Sequence, residues 1–344
     1  MYLIILLSLF NLSTYAQREA RVHTMLQSGG VRLIKATESL EFSSTVNISN
    51  NSKNLIIVSN GIPDHNVGKF PNAGNPHAIN KQKYLYRVAI NPIMNMVVTP
   101  LEMTYDFGVA LNGIPFDPGA DEWFQGQRNS EWQYEALSGA VRLGVDENHA
   151  HVQPTGAYHY HGLPLQLMEK LGVRKGAQSP VIGYAADGFK ILALYGKNGT
   201  KVYSSYRLKK GTRPIGGKYD GTFVSDYEFV KGSGDLDRCN GKAIGEEYFY
   251  FLTEEFPVIP RCFRGTPDPS FRKGRNQPGD DNVVTKRPLH PPHIQKPHVH
   301  GPPMAAKNAC KDKLVNKPCE FNSPHGVVRG MCFKSPSGEM ACRP

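Results

Sequence analysis

Short runs of β-branched and aromatic residues, each closed by Gly, Pro or Asn, recur along the first 260 residues. Leu55–Ser59, Tyr84–Ile90, Thr222–Val230 and Glu247–Leu252 have this character and predict strands. Val181–Ala185 and Phe189–Leu194 flank Asp187-Gly188, a pair suited to the positive φ angles of a tight hairpin turn. Helical spacing is rare. Only Leu165, Met168 and Leu171, after Pro164 and before Gly172, carry it clearly. The phrase Asn-Gly-Ile-Pro occurs at Asn60–Pro63 and again at Asn112–Pro115, which predicts two similar turns. The pattern as a whole predicts a mainly β domain with one or two short helices.

From Gly265 to Pro303 the apolar periodicity stops. Nine of these 39 residues are Pro, with His290, His293, His298 and His300 among them, so the stretch reads as a stiff, extended linker. The last 41 residues hold four cysteines, the size and content of a small disulfide-stapled module. At the other end, Met1–Ala16 has an apolar run with Thr14 and Ala16 at the minus-three and minus-one positions of a cut before Gln17. That is the form of a secretory signal and predicts a secreted, extracellular protein. The run is too short to cross a bilayer, and no later one is longer, so no membrane span is expected. The expected organisation is a signal peptide at 1–16, a β-rich domain at 17–264, a basic Pro/His linker at 265–303 and a four-Cys module at 304–344.

Charge changes this picture in one place. The chain carries a formal +10, but residues 261–318 contribute twelve Lys or Arg against four Asp, and residues 1–260 are nearly neutral. A basic groove for nucleic acid is therefore not expected in the body. The basic linker suits an acidic extracellular polymer or matrix instead. Six cysteines, none in C-x-x-C spacing, predict disulfides in a secreted chain. Cys239 and Cys262 pair naturally inside the body. Cys310, Cys319, Cys332 and Cys342 admit three connectivities. Asn47, Asn50 and Asn198 head sequons that permit glycosylation.

The candidate chemistry is concentrated in one ribbon. Four of the twelve histidines fall between His149 and His161. Strand alternation sends His159 and His161 to one face and Tyr158 and Tyr160 to the other, and groups His149 with His151 in the same way. Pro154-Thr155-Gly156 suits a three-residue hairpin loop with Gly in the left-handed region. Centred on Thr155, the hairpin opposes His151 to His159 and His149 to His161. All four imidazoles are then expected on one face, close enough for several nitrogens to meet one ion. Imidazoles suit zinc and copper first, without excluding iron or nickel.

The run Tyr158-His159-Tyr160-His161 resembles the namesake motif of the YHYH domain family. The resemblance extends over about residues 50–267. It is carried by Ser59–His65, the stretch from His151 to Gly162, Gly183–Gly188, Asp235–Gly241, Leu252-Thr253 and Phe256–Gly265. It implies a secreted protein of unestablished activity and favours His159 and His161 as ligands, then His151, then His149.

Weaker candidates surround this one. Asp235, Asp237 and Asn240, with Glu246 beyond, look like part of a calcium loop, but Cys239 and a late Gly241 break the pattern. Asp64 and His65 are candidates for a further ligand from a loop. Asp187 has a sufficient role in its hairpin turn. Asp117 and Asp121 near Trp123 are a remote candidate pair for glycosidic chemistry. The serine-elbow, Walker, dinucleotide and H-E-x-x-H motifs are absent from the sequence. Three functions remain in view: an extracellular metal-binding protein, a structural component of a possibly calcified matrix, and a metalloenzyme using the same histidines.

Overall fold

The structure, a computed structural model, describes residues 32–128, 130–274, 304–323, 326–334 and 340–343. The expected signal peptide and residues 275–303 lie outside them. The chain is mainly β, with two short helices, and divides into one unit within residues 1–281 and another within 282–344. No helix among the described residues is long and apolar enough to cross a membrane.

The first unit opens with a three-stranded antiparallel sheet of β1 (Val46–Asn50), β2 (Asn54–Ser59) and β3 (Tyr84–Ala89). Its main sheet has eight strands: β5 (Gly108–Ala110), β6 (Pro115–Phe116), β9 (Ala150–Val152), β10 (Tyr158–Tyr160), β11 (Gly183–Ala185), β12 (Lys190–Ala193), β15 (Gly241–Ile244) and β16 (Glu247–Leu252). They run in the order β15-β16-β12-β11-β5-β6-β10-β9, with β6–β10 and β12–β16 parallel. Three ribbons complete the unit: β4 (Thr99–Pro100) with β17 (Cys262–Phe263), β7 (Gly119–Trp123) with β8 (Gln133–Glu135), and β13 (Tyr206–Leu208) with β14 (Tyr227–Phe229). Helix α1 (Leu165–Lys170) follows β10 directly and buries Leu167 and Met168. Tyr86, Phe107, Phe116, Tyr158, Tyr160 and Tyr250 are fully buried, so the core is strongly aromatic; the Tyr158, Tyr160 and Tyr250 hydroxyls are hydrogen-bonded inside it, and that of Tyr86 has no partner among the described residues.

The two Asn-Gly-Ile-Pro turns pack on each other. Gly113, at φ +77°, leaves no room for a side chain against Ser59 of the other turn. Ile62 and Ile114, one from each copy, are both buried. Thr222–Val230 is strand only over Tyr227–Phe229. The Asp226 carboxylate turns inward to Gly221 N–H and to Arg213, and a 3-10 turn at Val224–Asp226 replaces the expected pairing. The start of the expected linker also differs. Residues 265–274 pack on the body, where Phe271 is fully buried with its ring 4.7 Å from that of Tyr86, and Arg87 N–H donates to Ser270 Oγ.

The second unit contains α2 (Met304–Asn308) and a sheet of β18 (Pro318–Ser323), β19 (Gly326–Lys334) and β20 (Met340–Arg343), in that order. Of the three connectivities open to its cysteines, the observed one is Cys310–Cys332 with Cys319–Cys342. The four half-cystines form most of its small core, as expected of a module too short to bury a large one. Cys239–Cys262 closes in the first unit.

Candidate metal centre

The β9–β10 hairpin has the expected register. Gly156 sits at φ +83°, its N–H donates to Gln153 O at 2.8 Å, and Gln153 N–H donates to Ala157 O at 3.0 Å. His151 stands opposite His159. Beyond β10, His161 N–H still donates to His149 O at 2.7 Å.

Three imidazoles converge on this hairpin: His151, His159 and His161 each offer a ligand nitrogen, all within 4.8 Å of one another. Every pair of rings is 4.6 Å apart between centroids and inclined at 71°, a three-bladed propeller. His159 Nε2 and His161 Nε2 are 3.0 Å apart. Two nitrogens bound to one tetrahedral zinc at ~2.05 Å lie about 3.3 Å apart, so the pair is close to a ligand spacing already. Two rings are oriented by backbone carbonyls. His151 Nδ1 donates to Leu143 O at 2.9 Å and His159 Nδ1 to Ala157 O at 3.2 Å. A nitrogen facing a carbonyl carries the proton, which leaves Nε2 as the lone-pair atom. His161 Nδ1 is buried without a partner among the described residues. Burial holds His159 and His161 well below the ordinary imidazole range and lowers His151 as well, so all three are neutral at physiological pH. Neutral imidazole is the form that binds a metal ion.

His149 does not join them. Its φ of +52° breaks the alternation, and its ring turns so that Nδ1–H donates to Leu163 O at 2.8 Å. The expectation of four histidines on one face fails at this residue. His65 is placed on the opposite face of β10, where its Nε2 is 2.7 Å from Tyr160 OH. With His65 Nδ1 donating to Asn66 O at 2.8 Å, the Tyr160 hydroxyl must be the donor to Nε2. Asn112 Nδ2 in turn donates to Tyr160 OH at 2.9 Å. Asp64 receives from Asn112 and from Lys170. Tyr158 OH donates to Asp146 Oδ2 at 2.7 Å, and the same carboxylate accepts from Gly68 and Asn148 N–H, each at 2.9 Å. Burial raises Asp146 to about 6 despite these donors.

The remaining candidates are tied into turns. Asp235 Oδ2 accepts from Tyr203 N–H, and Asp237 Oδ1 accepts from Cys239 and Gly241 N–H and from Tyr248 OH. Asn240 Nδ2 donates to Phe251 O and Thr253 Oγ1. Asp237 thus staples the 235–241 turn, Asn240 ties it to β16 with Oδ1 left without a partner, and no group of close His, Cys, Asp or Glu ligands among the described residues includes Asp235 or Asp237. Asp187 Oδ2 receives Tyr250 OH and Gly265 N–H. Asp117 is buried against Lys273, while Asp121 is exposed and paired with Arg128, so the two do not face one bond. Asn47 and Asn50 are exposed on the edge strand β1, and Asn198 is exposed on a turn at φ +61°.

Sequence reasoning did not single out Asn112, Arg261 or Lys273. The repeated Asn-Gly-Ile-Pro phrase marked Asn112 as a turn residue, and nothing local ties the other two to the ribbon.

A family model described as "YHYH protein" matches residues 85–265, more than half of the chain. The match contains the whole ribbon, β11–β12 and the 235–241 turn, and leaves out Ser59–His65. Neither a curated protein nor a solved structure matches the chain. By this match and by the ribbon it contains, the chain belongs to the YHYH protein family.

Proposed function

We propose that this is a secreted protein that binds one transition-metal ion, zinc or copper, through His151, His159 and His161. The observation that carries this reading is the propeller itself: three neutral, mostly buried imidazoles at equal spacing, with two Nε2 atoms 3.0 Å apart. A hydrogen bond from His161 Nε2–H to His159 Nε2 accounts for that pair, but packing alone gives no reason for the third ring, His151, to turn its lone-pair edge toward them in the core. Secretion is supported by the apolar start of the sequence and by the use of all six cysteines in disulfides. The exposed Asn47, Asn50 and Asn198 are accessible for glycans in that compartment. A matrix role would rest on the basic linker expected at 265–303, of which residues 275–303 lie outside the described residues.

Elemental analysis of the secreted, tag-free protein tests the reading. The expected result is about one equivalent of zinc or copper per chain. The pair His159→Ala and His161→Ala should lose it while keeping a cooperative unfolding transition. A wild-type protein that emerges metal-free and takes up neither ion at micromolar concentration would overturn the proposal.

A further inference from the structure

The three histidines border a charged interior. β6 runs parallel to β10 with Phe116 beside Tyr160, their rings 5.6 Å apart on one face. Alternation sends the next residues, Asp117 and His161, to the other face. Asp117 is fixed there. Its N–H donates to Tyr160 O at 2.9 Å, and its carboxylate meets Lys273 Nζ at 2.5 Å. Arg261 donates to Pro118 O at 3.1 Å but approaches its carboxylate, Glu135, only to 3.4 Å. The positive charges of Lys273 and Arg261 both bear on His161, and that of Lys273 bears on His159.

Two nitrogens in this neighbourhood are buried without partners: His161 Nδ1 and Arg261 Nε. Once His161 binds an ion through Nε2, its Nδ1 carries a proton, so both become donors without acceptors. The charge count points the same way. Lys273 and Arg261 are offset by Asp117 and Glu135. A divalent ion on three neutral imidazoles would then bring two further positive charges into a low-dielectric site. Asp117 is not placed to supply the balance, since it is engaged by Lys273 and by Gly119 N–H and stands outside the close group of three histidines.

We propose that the ion held by His151, His159 and His161 takes a small exogenous anion of carboxylate or hydrogencarbonate size as its remaining ligand, with Arg261 and Lys273 meeting the charge. This rests on the metal-binding reading above and goes further, because it assigns the chemical class of a second ligand and two residues that select it. Of the three histidines, His151 alone is partly exposed.

The full chain loaded with cobalt(II), whose visible bands report its coordination, tests this by titration with sodium azide and then acetate at constant pH and ionic strength. The expected result is a saturable change in the bands with each anion. Arg261→Lys should weaken azide about tenfold, or about 1.4 kcal/mol, and Lys273→Met by a smaller factor. One bound cobalt whose spectrum neither anion changes would overturn the inference and leave the metal reading standing. Band shifts with unaltered affinity in both variants would remove Arg261 and Lys273 from it. Failure to take up cobalt at all would remove both readings together. Lys273 is partly exposed, so its variant carries the test if Arg261→Lys does not fold.

Discussion

The strand Tyr158–His161 has two faces built on opposite terms. On the tyrosine face each hydroxyl has named partners: Tyr158 OH donates to Asp146, and Tyr160 OH donates to His65 and accepts from Asn112. On the histidine face the Nε2 atoms of His159 and His161 meet only each other, and His161 Nδ1 meets nothing among the described residues. Both faces hang on one backbone and are equally buried. Leaving a buried polar group unpaired costs about 1–3 kcal/mol, so the contrast is not neutral. The tyrosine face is a clamp that fixes the strand, and the histidine face leaves His161 Nδ1 without a partner among the described residues.

The sharpest way to break that division is Tyr158→Phe. It removes the one side-chain donor to a fully buried carboxylate while leaving the ring to pack. Urea denaturation should show a loss of about 2–3 kcal/mol, because the buried Asp146 carboxyl loses a donor that favours its charged form. Bound metal per chain should be unchanged. A variant that kept its stability and lost its metal would reverse the roles assigned to the two faces.

Acid acts on the faces with opposite signs. Burial lowers His159 and His161 well below their usual 6.5, so their neutral form contributes fully above that pH. As pH falls from 6.5, the unfolded imidazoles bind protons that the folded ones refuse, and stability is lost. Asp146, raised to about 6, behaves the other way: its charged form burdens the fold above pH 6, and that burden is relieved as pH falls toward 4. Asp106, raised to about 8, adds to that acid-side relief, so the histidine contribution is read as a difference between two proteins. Between pH 7.5 and 5.5 metal-free wild type should lose about 1–2 kcal/mol more, or gain that much less, than the His159→Ala and His161→Ala pair, measured by urea midpoints. An equal slope in both proteins would place the pH dependence outside the histidine face.

What the sequence made legible was local. A Pro-Thr-Gly loop and strict alternation are enough to oppose His151 to His159, and Asp187-Gly188 is enough for the β11–β12 hairpin. Local rules failed where distant groups or single torsions decide. One φ of +52° takes His149 out of the cluster. Asp117 is brought beside β10 through a parallel strand pair with no short connection to announce it. Lys273 and Arg261 arrive from more than a hundred residues away, at the edge of a stretch whose prolines conceal the docking of Phe271 on Tyr86. Asp237 carries a ligand-type side chain, but turn N–H groups and Tyr248 OH take up its Oδ1 first, and Asn240 is turned to hold Phe251 O on β16.

The smallest expected effect makes the finest test of the two faces. His149 belongs to neither; its ring lies against Leu163 O and its backbone is left-handed. His149→Asn suits this position, because Asn tolerates positive φ better than most residues. The loss should be about 1 kcal/mol, the worth of one buried hydrogen bond, read from the urea midpoint. Zinc affinity, measured by competition with a chromogenic chelator, should match the wild type. Four histidines stand within one thirteen-residue ribbon, and the same chelator assay separates a three-ligand site from a four-ligand one. If His149→Asn weakened zinc as much as His151→Asn does, its ring would have to leave Leu163 O on binding, and the propeller would be only the resting form of a larger site.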